Sequence, residues 1–299
     1  MDDYHIPVML KECIKGLNIN PDGVYVDVTF GGGGHAREIL KHLGKNGRLI
    51  AFDQDEDARG NLIDDERLIF VPQNFRYLKR FLRLEGYKKV DGILADLGIS
   101  SHQIDEAERG FSYRFDATLD MRMNQEGVKT AAEIINTYEA SELQRIFGMY
   151  GEIKNSKTLA ELIASERDLR PIQSINDFLG VIGSAVRGKL PKYLAQVFQA
   201  LRIEVNDEMN ALKEMLLQSY EVLDKGGYLV IITFHSLEDR IVKNFMKTGN
   251  FEGERISDEF GRVKKYFKLV NKKPIEASKE ELKVNARSRS AKLRIAQKV

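Results

Sequence analysis

The sequence predicts a doubly wound α/β protein with a mostly parallel sheet, interrupted by an inserted helical domain. Three observations carry this. Strand-like and helix-like segments alternate from Val24 to Ala95, no convincing strand occurs from about Asp105 to Val205, and the alternation resumes at Asp207.

The first strand is Val24-Tyr25-Val26-Asp27-Val28-Thr29-Phe30, a β-branched and aromatic run that ends in glycines. Ala36 to Leu43 follows as a helix, with Ile39, Leu40 and Leu43 on one face and Gly44 near its end. Leu49-Ile50-Ala51-Phe52 is a second strand running into Asp53, and Leu68-Ile69-Phe70-Val71 is a third. Phe75 to Leu84 reads as helix and Val90 to Ala95 as a fourth strand. In the insertion, Ser141-Glu142-Leu143-Gln144 and Ser174-Ile175-Asn176-Asp177 have capping-box patterns. Leu159, Leu162 and Ile163 form one helical stripe, and Leu194, Val197, Phe198 and Leu201 another. Asp207 to Leu223 then predicts a long helix, Tyr228 to Phe234 a strand buried on both faces, and Leu237 to Met246 a helix. Tyr266 to Val270 and Lys292 to Ile295 are expected late strands. The expected division is 1–104 with 206–299 for the α/β domain and 105–205 for an all-helical insertion.

At 299 residues, 42% hydrophobic and 30% charged, the chain can bury its own core. Its single cysteine, Cys13, permits no internal disulfide and points to an intracellular, cytoplasmic setting. Cys13 itself reads as a small residue of an N-terminal helix. No stretch reaches the ~18 apolar residues of a membrane span, and the acidic start Met1-Asp2-Asp3-Tyr4 lacks the basic region of a signal peptide. The net charge of +1 hides an asymmetry: residues 262–299 hold thirteen Lys/Arg against three Glu, and the remainder is acidic. A basic end on an acidic protein suggests a polyanionic partner.

The loop Gly31-Gly32-Gly33-Gly34-His35-Ala36 satisfies G-x-G-x-x-A between a strand and a helix. Its glycines let the backbone approach a ligand, and the helix start offers free N–H groups. Asp53 lies at the end of the second strand, where a carboxylate can accept both hydroxyls of a ribose. Together these predict a nucleoside cofactor. Asp27, four residues before Gly31, would repel a pyrophosphate and attract the ammonium of S-adenosylmethionine, which favours the methyl donor over a dinucleotide. Asp96-Leu97-Gly98-Ile99-Ser100-Ser101-His102-Gln103 ends the fourth strand, at the edge where open α/β sheets hold ligands. Asp96 there can accept from an amino group, and Gln103 can both donate and accept. Thr233-Phe234-His235 ends the long apolar strand at the same edge, so His235 can face the crevice. The five histidines show no metal-ligand spacing, and no metal site is expected. Arg287 and Arg289 alternate with Ser288 and Ser290 and, with Arg294, can contact phosphates, while Tyr266 and Phe267 beside Lys264 and Lys265 can stack bases. Two other classes fit parts of this pattern: an NAD-dependent oxidoreductase, from the glycine loop and Asp53, and a non-enzymatic RNA-binding protein, from the basic end.

Taken in order, these blocks resemble the RsmH (MraW) methyltransferase family. The resemblance runs from His5-Ile6-Pro7-Val8-Met9-Leu10 and the glycine loop through Asp96–Gln103, Arg109-Gly110-Phe111-Ser112 and Leu119-Asp120-Met121-Arg122-Met123. It continues to Gln199-Ala200-Leu201-Arg202-Ile203-Glu204-Val205-Asn206, His235–Arg240 and Arg287–Arg294. It implies a class I, Rossmann-like methyltransferase with the insertion after the fourth strand, and methylation of N4 of a cytosine in 16S rRNA at the decoding centre of the small ribosomal subunit. It implies S-adenosylmethionine contacts at Gly33, Gly34, His35, Asp53, Asp96 and Gln103, with an aromatic contact at Phe75, or Tyr77 if the spacing slips. Asp96, or a neighbouring main-chain carbonyl, is the candidate catalytic acceptor for the amino group. Arg202, Asn206 and His235 are expected around the base, with Arg287, Arg289 and Arg294 on phosphates, and the insertion in RNA recognition. The sequence departs from the family at Gly32, where Arg is frequent, at Asp116-Ala117-Thr118 and at Gly151-Glu152-Ile153-Lys154.

Overall fold

The structure is a computed structural model that describes residues 7–257, 259 and 265–299. The expectations placed on Met1–Tyr4, His5, Ile6 and Lys264 lie outside the described residues. The chain divides into two compact units, 1–98 with 209–299, and 99–208. The second unit is thus wider at both ends than the expected 105–205, because the turn after the fourth strand and the last residues of a long helix pack with the inserted helices.

The first unit holds an eight-stranded sheet. Its strands are β1 (Val24–Asp27), β2 (Arg48–Phe52), β3 (Leu68–Val71), β4 (Val90–Asp96), β5 (Leu223–Thr233), β6 (Phe267–Leu269), β7 (Ile275–Glu276) and β8 (Lys292–Lys298). The order is β3-β2-β1-β4-β5-β8-β6, with β7 also on β8. The first five strands pair parallel, and β8 is antiparallel to both β5 and β6. Ile50, Phe52, Ile93, Leu94, Leu229, Val230 and Ile231 are all buried, the near-continuous apolar content of strands covered on both faces. Chain order reverses between β1 and β4, so the crevice at the strands' carboxyl ends opens beside Asp27 and Asp96.

The helices of this unit are α1 (Leu10–Leu17), α2 (Gly34–His42) and α3 (Leu78–Leu84), which is preceded by a 3-10 turn at Phe75–Tyr77. Cys13 is fully buried on α1, the small core residue expected. β5 begins five residues before the predicted Tyr228, because its ladder with β4 already starts at Val90 opposite Leu223.

The second unit is helical: α4 (Ser101–Asp105), α5 (Ala131–Thr137), α6 (Ala140–Met149), α7 (Ser156–Leu169), α8 (Ile175–Ile182) and α9 (Leu190–Asn206). Among the described residues it has no strand beyond one isolated bridge, Thr118 to Ser174. Leu194, Val197, Phe198 and Leu201 of α9 are buried together with Leu159 and Ile163 of α7, as their spacing predicts. Ser174 and Asp177 form the expected capping box. The other predicted box is displaced: α6 starts at Ala140, and Glu139 with Glu142 closes its first turn, so Ser141 is not the cap.

The chain continues through α10 (Glu208–Val222), α11 (Ser236–Thr248) and α12 (Lys279–Val284). Among the described residues no helix is long and apolar enough to cross a membrane.

Candidate cofactor and substrate site

The carboxyl ends of β1, β2 and β4 bring three carboxylates to one edge of the first unit. Asp27 ends β1 and pairs with Ala51 and Leu94, Asp53 follows β2, and Asp96 ends β4. The loop from Val28 to Gly33 crosses above them. Gly31 and Gly33 have φ of 49° and 71°, and Gly33 caps α2 in the left-handed conformation. Asp53 holds this loop: its Oδ2 accepts the Gly31 N–H at 2.7 Å and its Oδ1 the Asp55 N–H at 2.8 Å. Asn61 donates to the Gly31 carbonyl from the other side. Burial pushes the Asp53 carboxyl up to about 6, against the lowering effect of these N–H donors.

Asp27 is almost fully buried at 1% exposure. Its Oδ1 accepts the Thr29 N–H at 3.1 Å, while its Oδ2 is buried with no hydrogen-bond partner. Burial raises its pKa to about 7, and the charge of Asp53 adds to the shift. The Thr29 hydroxyl joins the two strands, accepting from the Asp96 N–H at 2.7 Å and lying 3.4 Å from Asp27 Oδ1. Sequence reasoning missed Thr29, although a hydroxyl between two strand-end carboxylates is the signal that would have found it.

Asp96 Oδ1 is likewise buried and unpartnered. Its Oδ2 lies 3.8 Å from His35 Nδ1. His35 Nε2 is 3.1 Å from the Val8 carbonyl, which can only accept, so Nε2 carries the proton and Nδ1 presents a lone pair to Asp96. Burial lowers the His35 pKa to about 4 and keeps the ring neutral. Burial, then the charges of Asp27, Glu238 and Glu281, push Asp96 well above the usual carboxylate range. Asp27 Oδ2 and Asp96 Oδ1 are therefore two buried oxygens at this edge with no donor.

Residues 7–9 lie against the glycine loop. A Cβ on Gly34 would come 2.3 Å from Pro7 Cγ, and the Met9 N–H donates to Glu281 of α12 at 2.8 Å. Gly34→Ala therefore displaces this segment. The expected result is faster amide exchange at Val8 and Met9 and a several-fold loss of cofactor affinity by calorimetry. Gly32 has nothing within 4 Å of an added Cβ, so the larger residue frequent there in the family has room. Gly32→Arg is expected to change stability by no more than about 0.5 kcal/mol.

Phe75 follows Asn74, whose amide donates to Gln54 Oε1 at 2.7 Å beside Asp53. It packs half-buried against the core, whereas Tyr77 is 44% exposed. Asn74, the residue before Phe75, is thus tied to the turn after β2. Gln103 belongs to the second unit, where its Oε1 accepts the Ser100 N–H and its own N–H donates to Ser100 Oγ, closing the capping box of α4.

Several residues expected to contact RNA have partners within the protein. Arg202 forms two hydrogen bonds to Glu208, at 2.8 and 3.0 Å, with both side chains largely buried. Asn206 accepts from the Met123 N–H and donates to the Met121 and Arg202 carbonyls, which fastens the 121–123 segment to the end of α9. His235 caps α11 through Nδ1, and its Nε2 lies 3.1 Å from Glu238 Oε1, too poorly aligned to count as a hydrogen bond. Arg294 is paired with Asp239 of α11 at 2.7 and 3.0 Å. Phe267 is buried and Tyr266 packs edge-on against Tyr220, so neither offers a free face to a base. Arg289 is exposed and Arg287 half-buried in the 3-10 turn Ala286–Ser290. Because β8 is antiparallel to β5 with Lys292 opposite Thr233, this turn stands at the same sheet edge as the carboxylates.

Five parallel strands ordered 3-2-1-4-5, an antiparallel strand inserted between the fifth and its outer neighbour, and a glycine loop above strand-end acids define a Rossmann-like class I methyltransferase. The profile of the MraW methylase family matches residues 2–299. The chain belongs to that family. It is 59% identical over 298 residues to the ribosomal RNA small subunit methyltransferase H of Parabacteroides distasonis, covering 99% of this chain and 98% of that one. The proteins of the same name in Bacteroides thetaiotaomicron and Cytophaga hutchinsonii are 58% and 57% identical, each over 99% of this chain and 97% and 99% of their own lengths.

Proposed function

We propose that this protein transfers the methyl group of S-adenosylmethionine to the exocyclic N4 of a cytosine in 16S rRNA, at the decoding centre of the small ribosomal subunit in the cytoplasm. Family membership and the relatives' common name support the reaction class and the RNA. The observation that carries the chemistry is the pair of buried, unpartnered carboxylate oxygens, Asp27 Oδ2 and Asp96 Oδ1. A ligand bearing positive charge and amino groups satisfies them, and a pyrophosphate does not, which disfavours the dinucleotide reading.

S-adenosylmethionine, when bound, supplies an electrophilic methyl on a cationic sulfur. Asp27 would face its cationic end, Asp53 its ribose hydroxyls, and Gly33 and Gly34 would allow close backbone approach. Phe75 would pack against the adenine. A cytosine amine is a weak nucleophile because its lone pair is delocalised into the ring, so positioning supplies much of the acceleration. Asp96, once ionised, accepts a hydrogen bond from the amino N–H and localises that lone pair. Methylation would cost the amino nitrogen a proton, and Asp96 would accept it. The base must be single-stranded or flipped out to reach this edge. Arg287 and Arg289 remain as phosphate contacts there, and the helical unit takes part in RNA recognition.

Methyl transfer from labelled donor to 16S RNA of small subunits lacking the modification tests the reading, and absence of N4-methylcytosine would falsify it. Asp96→Asn, at saturating cofactor, is expected to reduce kcat by at least ~100-fold. Full turnover in that variant would remove Asp96 from the chemistry.

A further inference from the structure

We infer that the helical unit carries a docking corner for RNA backbone, made by Lys154, Lys157, Arg187, Lys189 and Lys192 at the amino end of α9. The inference deepens the proposed rRNA methylation, on which the identity of the polyanion rests.

The unit is acidic as a whole, with thirteen Lys/Arg against seventeen Asp/Glu over 99–208. Five of those thirteen cations fall in two short segments, 154–157 and 187–192. The fold brings the segments together. Asn155 donates to the Ala185 carbonyl at 2.8 Å, and Gln196 of α9 donates to the Gly151 carbonyl at 2.9 Å. All five cations are exposed. Among the described residues only Lys157 has a carboxylate partner, Glu161 at 3.8 Å. Outside these two segments the unit carries eight Lys/Arg against seventeen Asp/Glu, a net negative balance.

One further feature points to an anion. The seventeen-residue helix α9 directs the positive end of its dipole here, starting at Leu190-Pro191. Tyr193, next to Lys192 on this helix, is 4% exposed; burial raises the pKa of its phenol, and the Asn155 side chain and then the charge of Arg187 lower it. Spaced cations with no aromatic platform suit a phosphate backbone read by position rather than by base.

Binding of small ribosomal subunits lacking the modification, measured across a salt series, tests the corner. Lys154→Gln, Lys189→Gln and Lys192→Gln combined are expected to weaken binding at least ~10-fold and to flatten the slope of log affinity against log salt by roughly 2. Arg187→Gln alone is expected to flatten it by about 0.7–0.9. Calorimetric affinity for S-adenosylmethionine and the melting temperature stay at wild-type values in both variants. A wild-type slope and affinity in the triple variant overturn the corner. If the wild-type protein transfers no methyl but loses salt-dependent binding on triple substitution, the functional reading fails and the corner stands.

Discussion

Asp27→Asn is expected to lower affinity for S-adenosylmethionine by roughly 100-fold, about 2.7 kcal/mol, while leaving the cofactor-free protein as stable or more stable. The amide keeps the Oδ1 that accepts from Thr29 but turns a neutral NH2 toward the place of the unpartnered Oδ2. The pH dependence gives a sharper check. Folding raises the Asp27 carboxyl to about 7 from its ordinary 3.8, so the folded state holds the proton more tightly than the unfolded chain. Stability without cofactor therefore falls as pH rises from about 4 to 7, and Asp53 acts in the same direction up to about 6. A cationic ligand favours the ionised form, so cofactor affinity should rise with pH to about 7 and then level off. Calorimetry in buffers of different ionisation enthalpy would register proton release on binding near pH 6. In Asp27→Asn that release shrinks, and stability at pH 8 rises by about 1–3 kcal/mol. A variant with wild-type affinity at every pH would remove Asp27 from the cofactor site.

Arg294→Ala is expected to cost about 3–5 kcal/mol of stability without weakening RNA binding below its melting temperature. Arg294 and Asp239 are both largely buried and form two hydrogen bonds, so truncating one strands the other's charge inside the protein. Replacing both with Met and Leu should recover most of the loss, because an apolar pair has no desolvation to offset. Arg289→Ala, at an exposed site, should leave urea unfolding unchanged and reduce RNA affinity instead. The reverse pattern in these two variants would restore Arg294 to phosphate binding.

The contrast between Arg289 and Arg294 shows what could be read from residues alone. Strand ends followed by glycine or aspartate were legible, because turn chemistry and apolar runs are local. That located Asp27, Asp53, Asp96 and the glycine loop. The stripes of α7 and α9 were legible for the same reason. Partnership between distant polar side chains was not. Arg294 meets Asp239 across 55 positions and Asn206 meets Met121 across 85, and no local pattern separates a paired arginine or a buried amide from a free one. His235 looked like a crevice residue because it ends a strand, yet the same position is also a helix cap. Two-residue β7 and six-residue α12 are too short to leave a periodic signal, so Glu281 and its hold on Met9 went unseen.

The place of β8 in the sheet has a consequence for how the protein assembles. Among the described residues β8 follows every other strand, but it is an interior strand, and it is the only one through which β6 and β7 join the sheet. The outer edge therefore cannot form in order of synthesis. β6 and β7 must wait, unpaired, until residues 292–298 arrive and close the gap beside β5. With β8 comes Arg294 for Asp239. A chain stopped before Lys292 would keep the glycine loop and all three strand-end acids but would lack the strand that joins β6 and β7 to β5.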